Sequence, residues 1–395
     1  MIIKEPCIQG LDDTDLYKEH CRYAYLSRYA GVMSRMEFND RRPHGLYTPR
    51  FVDALKEQIK HIGTLRTEPA TIDFLREKTP WLGKPMYLEY LRNWRPNPDL
   101  VDIRLVDGQL KIGIEGPIED VSPWEIYLMP TISELNFKMI QTGWTHDGQI
   151  EQFHEKLKIL RRLKAWSEFG TRRRRDWWTQ EMIVRESVDQ PGFVGTSNIR
   201  LARLYGIKPQ GTFPHEWPQV ISAMESLRYT NRFAMEIWQE LFGSRLGTAL
   251  PDTFGTESFL RDFNHMLANL FTGVRHDSGD PYEFAEKIIA HYVKLWIDAM
   301  TKTIIFSDNL NPQKCLDIQT AFLNRIRTAF GIGTNLTNDY PGSPALNMVI
   351  KLIMVNMINV VKLSDTPSKA IGDKEALAMA RHVHLGMSLQ EALAV

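Results

Sequence analysis

A chain of 395 residues exceeds what one ordinary hydrophobic core supports, so two domains or one large α/β unit is expected. Hydrophobic residues make up 43% and charged residues 24%, the balance of a folded protein rather than a disordered one. Lys plus Arg and Asp plus Glu are both 48, so no bulk field recruits nucleic acid or a membrane, and any anion site must arise from local clustering.

The N-terminal stretch MIIKEPCIQGLDDTD has no apolar core of the kind a signal peptide needs. From Asp12 to about Trp94 the pattern reads as mostly helical, punctuated by Pro80 and Pro96. VDIRLVDGQLKIGIEG then alternates on either side of Asp107-Gly108, a tight-turn pair, and predicts a hairpin. Helical spacing returns from Pro123 to Trp166. Beyond Trp166, short apolar runs alternate with helix-length amphipathic stretches, and candidate strands end near Phe169, Gly195, Gln210, Leu250, Arg275, Ser307 and Gly331. Seven strands separated by crossovers predict a parallel α/β sheet, closed or nearly closed. The chain thus divides into an N-terminal α/β domain over 1–166 and a parallel α/β domain over 167–344. A final two-strand unit, NMVIKLIMV and NVVKLSD within 345–395, is a candidate to complete the first domain. Its apolar residues are broken by Lys351, Asn356 and Asn359, which excludes a membrane span. Cys7, Cys21 and Cys315 are odd in number and lack CxxC spacing, which predicts a reducing, cytoplasmic setting without a disulfide framework or zinc knuckle.

In such folds chemistry gathers where strands end and loops begin. FGTRRRRDWW predicts a helix capped by Thr171 with Arg172 to Arg175 in its first turn, where four guanidiniums oppose the helix dipole unless an anion or carboxylate meets them. A solvated helix face partly offset by Asp176 is the plainer reading, and only some of the four can point inward. In VGTSNIRLARLYG, Thr196 or Ser197 is expected to cap a helix that Gly206 stops. PQGTFPHEWP places Thr212 and His215 after a short strand. HEW lacks the second histidine of a zinc-protease motif, so metal ligation by His215 is not expected. In GVRHDSGDP, Arg275 and Asp277 lie two apart and project to one side, while Asp280 caps a helix with Pro281 at its first position. That pairs an anion fork with a carboxylate able to hold Mg²⁺, a hydroxyl or a ring N–H. IIFSDNLNP offers Ser307 and Asp308. AFGIGTNLTND offers Gly331, Gly333 and Thr334, a turn whose N–H groups can converge on a phosphate. Together these ends describe a phosphate-handling α/β enzyme, without naming its reaction.

DTDLYK, FGTRRR, GTSN, GTFPHEW, RHDSGDP, FSDNL, FGIGTNLTND and KLSDTPSK, in this order from about Asp12 to Lys369, resemble the motifs of nicotinate phosphoribosyltransferases. The resemblance implies a type II phosphoribosyltransferase, an N-terminal α/β domain joined to an irregular seven-stranded α/β barrel. It implies transfer from phosphoribosyl pyrophosphate (PRPP) to nicotinate with ATP as co-substrate and Mg²⁺, carried mainly on PRPP and ATP, in NAD biosynthesis. By the same resemblance His215 is the histidine that ATP phosphorylates. Phe169, with Tyr17 reaching in from a second subunit of a homodimer with shared sites, sandwiches the pyridine. Arg172 and Arg275 bind its carboxylate or nearby phosphates, and Thr196 and Thr212 line the pocket. Asp277 and Asp308, with Ser307, surround the ribose hydroxyls and metal, and Gly331, Gly333 and Thr334 form the 5-phosphate loop. Relatives that use nicotinamide have an aspartate where Ser197 stands. A carboxylate there would repel nicotinate, so Ser197 favours the acid. Pro214 departs from the alanine or glycine expected before the histidine. It fixes φ, removes an N–H and stiffens that loop. The rivals are a nicotinamide or quinolinate phosphoribosyltransferase, another sugar-phosphate barrel enzyme such as an aldolase or isomerase, an RNA-binding protein built on the arginine run, and a catalytically silent relative.

Overall fold

In the computed structural model, which describes residues 5–42 and 46–395, the first part of the chain forms helices Leu16–Arg28, Pro49–Thr64, Pro69–Lys78 and Pro85–Asn93. Three of these open with proline, where its missing N–H costs nothing and its fixed φ suits the first turn. One stretch in this region departs from the helical expectation. Residues Met33–Asp40 form strand β1, with Ser34, Met36 and Phe38 buried in alternation. Met33 and Met36 stand at helical spacing and Met36 and Phe38 at strand spacing, so the local pattern does not decide between them.

The hairpin forms as read. Strands β2 (Val101–Val106) and β3 (Gln109–Pro117) pair antiparallel from Val101–Ile114 to Val106–Gln109. Asp107 and Gly108 both take positive φ, 49° and 70°, as a two-residue turn of this hand demands. The helix Trp124–Met139 is buried on every side as far as Phe137 and runs on through Pro130.

Two compact units can be distinguished. The first comprises residues 1–31, 35–211 and 332–351, the second 32–34, 212–331 and 352–395. In the first, β4 (Trp166–Glu168) and β5 (Phe193–Thr196) pair parallel. The strand expected near Gln210 reduces to a single parallel bridge between Thr196 and Pro209. In the second, β6 (Thr248–Ala249), β7 (Gly273–His276), β8 (Thr303–Phe306) and β9 (Arg327–Ile332) pair in sequence, all parallel. Six parallel strands plus one bridge therefore stand, among the described residues, where seven strands were expected. The crossovers β7–β8 and β8–β9 run through helices Pro281–Lys294 and Pro312–Ala321, capped by Asp280 and Asn311 with proline at the first position. Strand β10 (Met348–Val355) is followed by a β11 of only two residues (Ile358–Asn359), which pairs with it antiparallel. The rest of the expected second strand is taken elsewhere: Val361 and Leu363 pack with Phe254 and Ala380, and the Leu363 N–H donates to the Thr253 carbonyl. No helix among the described residues is long and apolar enough to cross a membrane.

The arginine run differs most from expectation. The helix Trp177–Ser187 is capped by Asp176, whose side chain accepts from the Thr179 N–H, so Arg172 to Arg175 precede it and do not oppose its first turn. Arg174 and Arg175 are fully buried. Arg174 forks onto Asp13 at 2.7 and 2.8 Å and also donates to Gln180 and the Cys7 carbonyl. Arg175 lies over the rings of Phe137 and Tyr340, 3.5 and 4.1 Å from their centroids. Both groups of the Asp13–Arg174 pair are 0% exposed. Arg174→Met should therefore lower the unfolding free energy by about 3–5 kcal/mol, because it strands a buried carboxylate. Asp13→Asn with Arg174→Met should cost less than Arg174→Met alone, as urea denaturation of the two variants will read.

Candidate active site

The first unit gathers one set of predicted residues around two acids. Asp15, at the N-cap of the helix Leu16–Arg28, accepts from the Ser197 hydroxyl at 2.6 Å and lies 4.0 Å from Arg172. Glu125, in the first turn of the helix Trp124–Met139, accepts from the Tyr17 hydroxyl at 3.0 Å and pairs with Lys18 at 2.8 Å and Arg172 at 3.5 Å. Although burial opposes it, Lys18, Lys351 and Arg172 hold the Glu125 carboxyl well below the usual carboxylate range. Burial raises Asp15, against Arg172 and Ser197. Tyr17, half-buried and 5.9 Å from the Arg172 guanidinium, thus stands beside Arg172 of its own chain.

Asn198, not Thr196 or Ser197, caps the helix Ile199–Leu204, accepting from the Leu201 N–H. The capping explanation for Ser197 thereby falls away, and its hydroxyl serves Asp15 instead. Thr196 donates to Glu168 at 2.5 Å. Phe169 is half-buried and its N–H donates to the Ile332 carbonyl at 2.8 Å. Gly333 lies so close that a Cβ would sit 3.1 Å from the Phe169 carbonyl oxygen, which explains a glycine there. Thr334 opens the short helix Thr334–Thr337.

The second unit gathers the rest around His215. Phe213 and Trp217 both pack on Trp238, with ring centroids 5.0 and 5.6 Å apart, and Pro214 fixes the backbone between these anchors. The His215 Nε2 is 3.2 Å from Asp252 Oδ1 and 3.4 Å from Asp277 Oδ2. Arg275 reaches Asp277 at 3.4 Å, the same-side projection expected from their spacing, and donates to the Thr212 hydroxyl at 2.6 Å. The Ser307 hydroxyl is 2.9 Å from Asp277. Burial works against it, but Arg275, Lys362 and His215 bring the Asp277 carboxyl far below its ordinary value. Asp308 is not in this knot; it pairs with Lys369 at 2.7 Å. Gly331 is buried within β9.

Asp15, Glu125, Asp252, Lys362 and Glu168 escaped the reading of motifs. Asp15 and Lys362 lie inside quoted motifs, and Asp252 follows the strand end at Leu250. Their importance comes from partners far along the chain, which no local spacing reveals. His215, Asp252 and Asp277 offer donor atoms within 4.8 Å of one another, the one candidate metal group among the described residues. Asp252 already faces Lys362 at 3.1 Å and Ser278 at 2.6 Å, and Asp277 faces Arg275. The acids are neutralised by cations, so the set fits a polarised imidazole better than a protein cage for Mg²⁺, which seeks six oxygens.

Residues 165–386 match the model of the nicotinate phosphoribosyltransferase family, and residues 13–133 match that family's N-terminal domain. The chain belongs to the nicotinate phosphoribosyltransferase family. It is 41% identical to the nicotinate phosphoribosyltransferase of Methanosarcina mazei, over 95% of this chain and 98% of that one. It is 39% identical to that of Salmonella heidelberg, over 95% of each. The crystal structure of nicotinate phosphoribosyltransferase from Porphyromonas gingivalis superposes with a TM-score of 0.92 at 35% identity, covering 96% of this chain and 100% of the other. All eight motifs quoted from the sequence fall within the residues that the two family models match.

One acid in the first unit titrates in an accessible range. Burial pushes the Glu168 carboxyl up from 4.5 to about 7, against the hydrogen bonds it receives. Between those values the unfolded chain has released a proton that the folded chain keeps, so this group makes stability fall as pH rises through that window. The contribution is on the order of 2–3 kcal/mol. Glu168→Gln should flatten that slope relative to the parent when denaturation is compared at pH 5 and pH 7.5.

Proposed function

We propose that this chain joins nicotinate to PRPP, giving nicotinate mononucleotide and pyrophosphate in NAD biosynthesis, and that it spends one ATP through phosphorylation of His215. The pyridine nitrogen attacks C1 of PRPP as the C1–O bond to pyrophosphate breaks. That nitrogen is already a free nucleophile, so catalysis rests on positioning and charge stabilisation rather than proton transfer. In the first unit, Phe169 would hold the ring and Arg172 its carboxylate, with Gly333 and Thr334 serving the 5-phosphate. Tyr17 would act on the ring bound by a second copy of the chain, in a homodimer with shared sites. Ser197 would leave room for an anion where an aspartate would repel it, although its hydroxyl is engaged by Asp15.

The observation that carries the ATP step is the setting of His215 between Asp252 and Asp277. Carboxylates close to one ring nitrogen favour the tautomer that carries its proton there and leave the other nitrogen free to attack. Attack on the γ-phosphorus forms an N–P bond and releases ADP; water later cleaves it to phosphate. Arg275 and Lys362 supply the positive charge that this new dianion needs, by analogy with phosphoserine. Mg²⁺ would neutralise diphosphate charge while held mainly by the substrates' own oxygens, with Asp277 and Asp308 nearest. Three buried free cysteines suit a cytoplasmic setting.

Incubation with γ-labelled ATP should give an acid-labile phosphoprotein, absent in His215→Ala. That variant should lose ATP stimulation and keep a slow ATP-independent transfer; equal loss of both would argue for direct participation instead. Assayed with nicotinate, nicotinamide and quinolinate, the parent should favour nicotinate. Ser197→Asp should raise the nicotinate KM by about tenfold or more, equivalent to 1.4 kcal/mol of repulsion. Preference for either other pyridine would refute the substrate assignment.

A further inference from the structure

Glu168 ends β4, immediately before Phe169, and its side chain is 0% exposed. One carboxyl oxygen accepts from the Gly170 N–H. The other accepts from Gln180 at 3.0 Å and from Thr196 at 2.5 Å, while the Glu168 backbone carbonyl accepts from the Ser197 N–H at 2.9 Å. The same residue therefore grips both neighbours of the two positions proposed to meet the ring and its carboxylate. Gly170 is needed for this closeness: a Cβ there would sit 2.8 Å from the Glu168 oxygen.

We propose that Glu168 is the positioning residue of the pyridine pocket, its one buried carboxyl setting the spacing between the Phe169 turn and the Ser197 loop and thereby the affinity for nicotinate. The proposal rests on the reading that nicotinate lies against Phe169. A residue that only filled space here would be apolar, because burying a carboxyl without need is costly. Instead three donors converge on it from three segments. Gln180 is itself fixed, its oxygen accepting from Arg174 at 2.9 Å and its amide donating to Thr171 at 2.9 Å, so it cannot turn to follow a changed partner. The charges around this knot are Asp15, which disfavours ionisation of Glu168, and the Asp13–Arg174 pair beyond Gln180.

The test is steady-state kinetics of the parent, Glu168→Gln, and Glu168→Gln combined with Gln180→Glu. The single change turns an acceptor into a donor facing the Gln180 amide. The pair restores complementarity, since a carboxylate at 180 accepts from the new amide at 168, from Thr171 and from Arg174. Glu168→Gln should raise the nicotinate KM about tenfold, with the PRPP KM within about twofold of the parent. The double variant should return the nicotinate KM to within about threefold. A parental nicotinate KM in the single variant, KM values for both substrates rising together, or a double variant no better than the single would each overturn the proposal. If the single variant does not fold, the double decides alone: it must fold and bind nicotinate within that threefold margin. A parent that turns over nicotinate beside an unaffected Glu168→Gln defeats only this inference. A parent with no nicotinate turnover defeats the functional reading and this one with it.

Discussion

The first unit depends on one buried ion pair. Asp13 and Arg174, 161 positions apart, meet with no exposure to water. Charges removed from water so completely are tolerable only when forked together and supported by further hydrogen bonds. Here Asn198 adds a donor to Asp13, while Gln180 and the Cys7 carbonyl accept from the terminal nitrogens of Arg174. From Gln180 the network passes to Thr171 and Glu168, and from Glu168 to Gly170 and Thr196. The N-terminal DTD, the FGTRRR turn and the GTSN loop are thus a single polar core. Phe169, Arg172 and Ser197, three of the residues proposed to handle the ring, are sequence neighbours of its members, so its hydrogen bonds set where their backbones stand.

In the second unit the same logic works with excess charge. Asp252 and Asp277 crowd His215, and Lys362 and Arg275 offset them. The chain is neutral overall, yet cations are concentrated around these acids by the end of β7 and by the C-terminal segment. Such an arrangement suits a site whose charge changes during turnover. A phosphoryl group arriving on the imidazole, as proposed, would find cations already in place and need little reorganisation.

Much of the parallel framework was legible because short apolar runs end in punctuation with a mechanism. Asp280-Pro281 and Asn311-Pro312 start their helices as read, and Asp107-Gly108 turns its hairpin. Strand β1 was not legible, because its three apolar residues fit two periods. Arg172 to Arg175 were noticed for the right reason, their unfavourable clustering, but their resolution is long-range. Arg174 finds Asp13 and Arg175 finds aromatic rings, neither of which adjacent sequence announces. Asp252 and Glu125 were missed on the same ground. A single acid after a two-residue strand, or within an apolar helix, has no pattern until its cations are known.

A crystal structure of the nicotinate complex would show whether the ring seats on this polar core. The pyridine face should stack within about 4 Å of Phe169 with its carboxylate within about 3 Å of the Arg172 guanidinium, and Glu168 should still be bound to Gly170 and Thr196. A ring seated away from Phe169, or a Glu168 carboxyl turned out of its three donors when the ring binds, would contradict this arrangement.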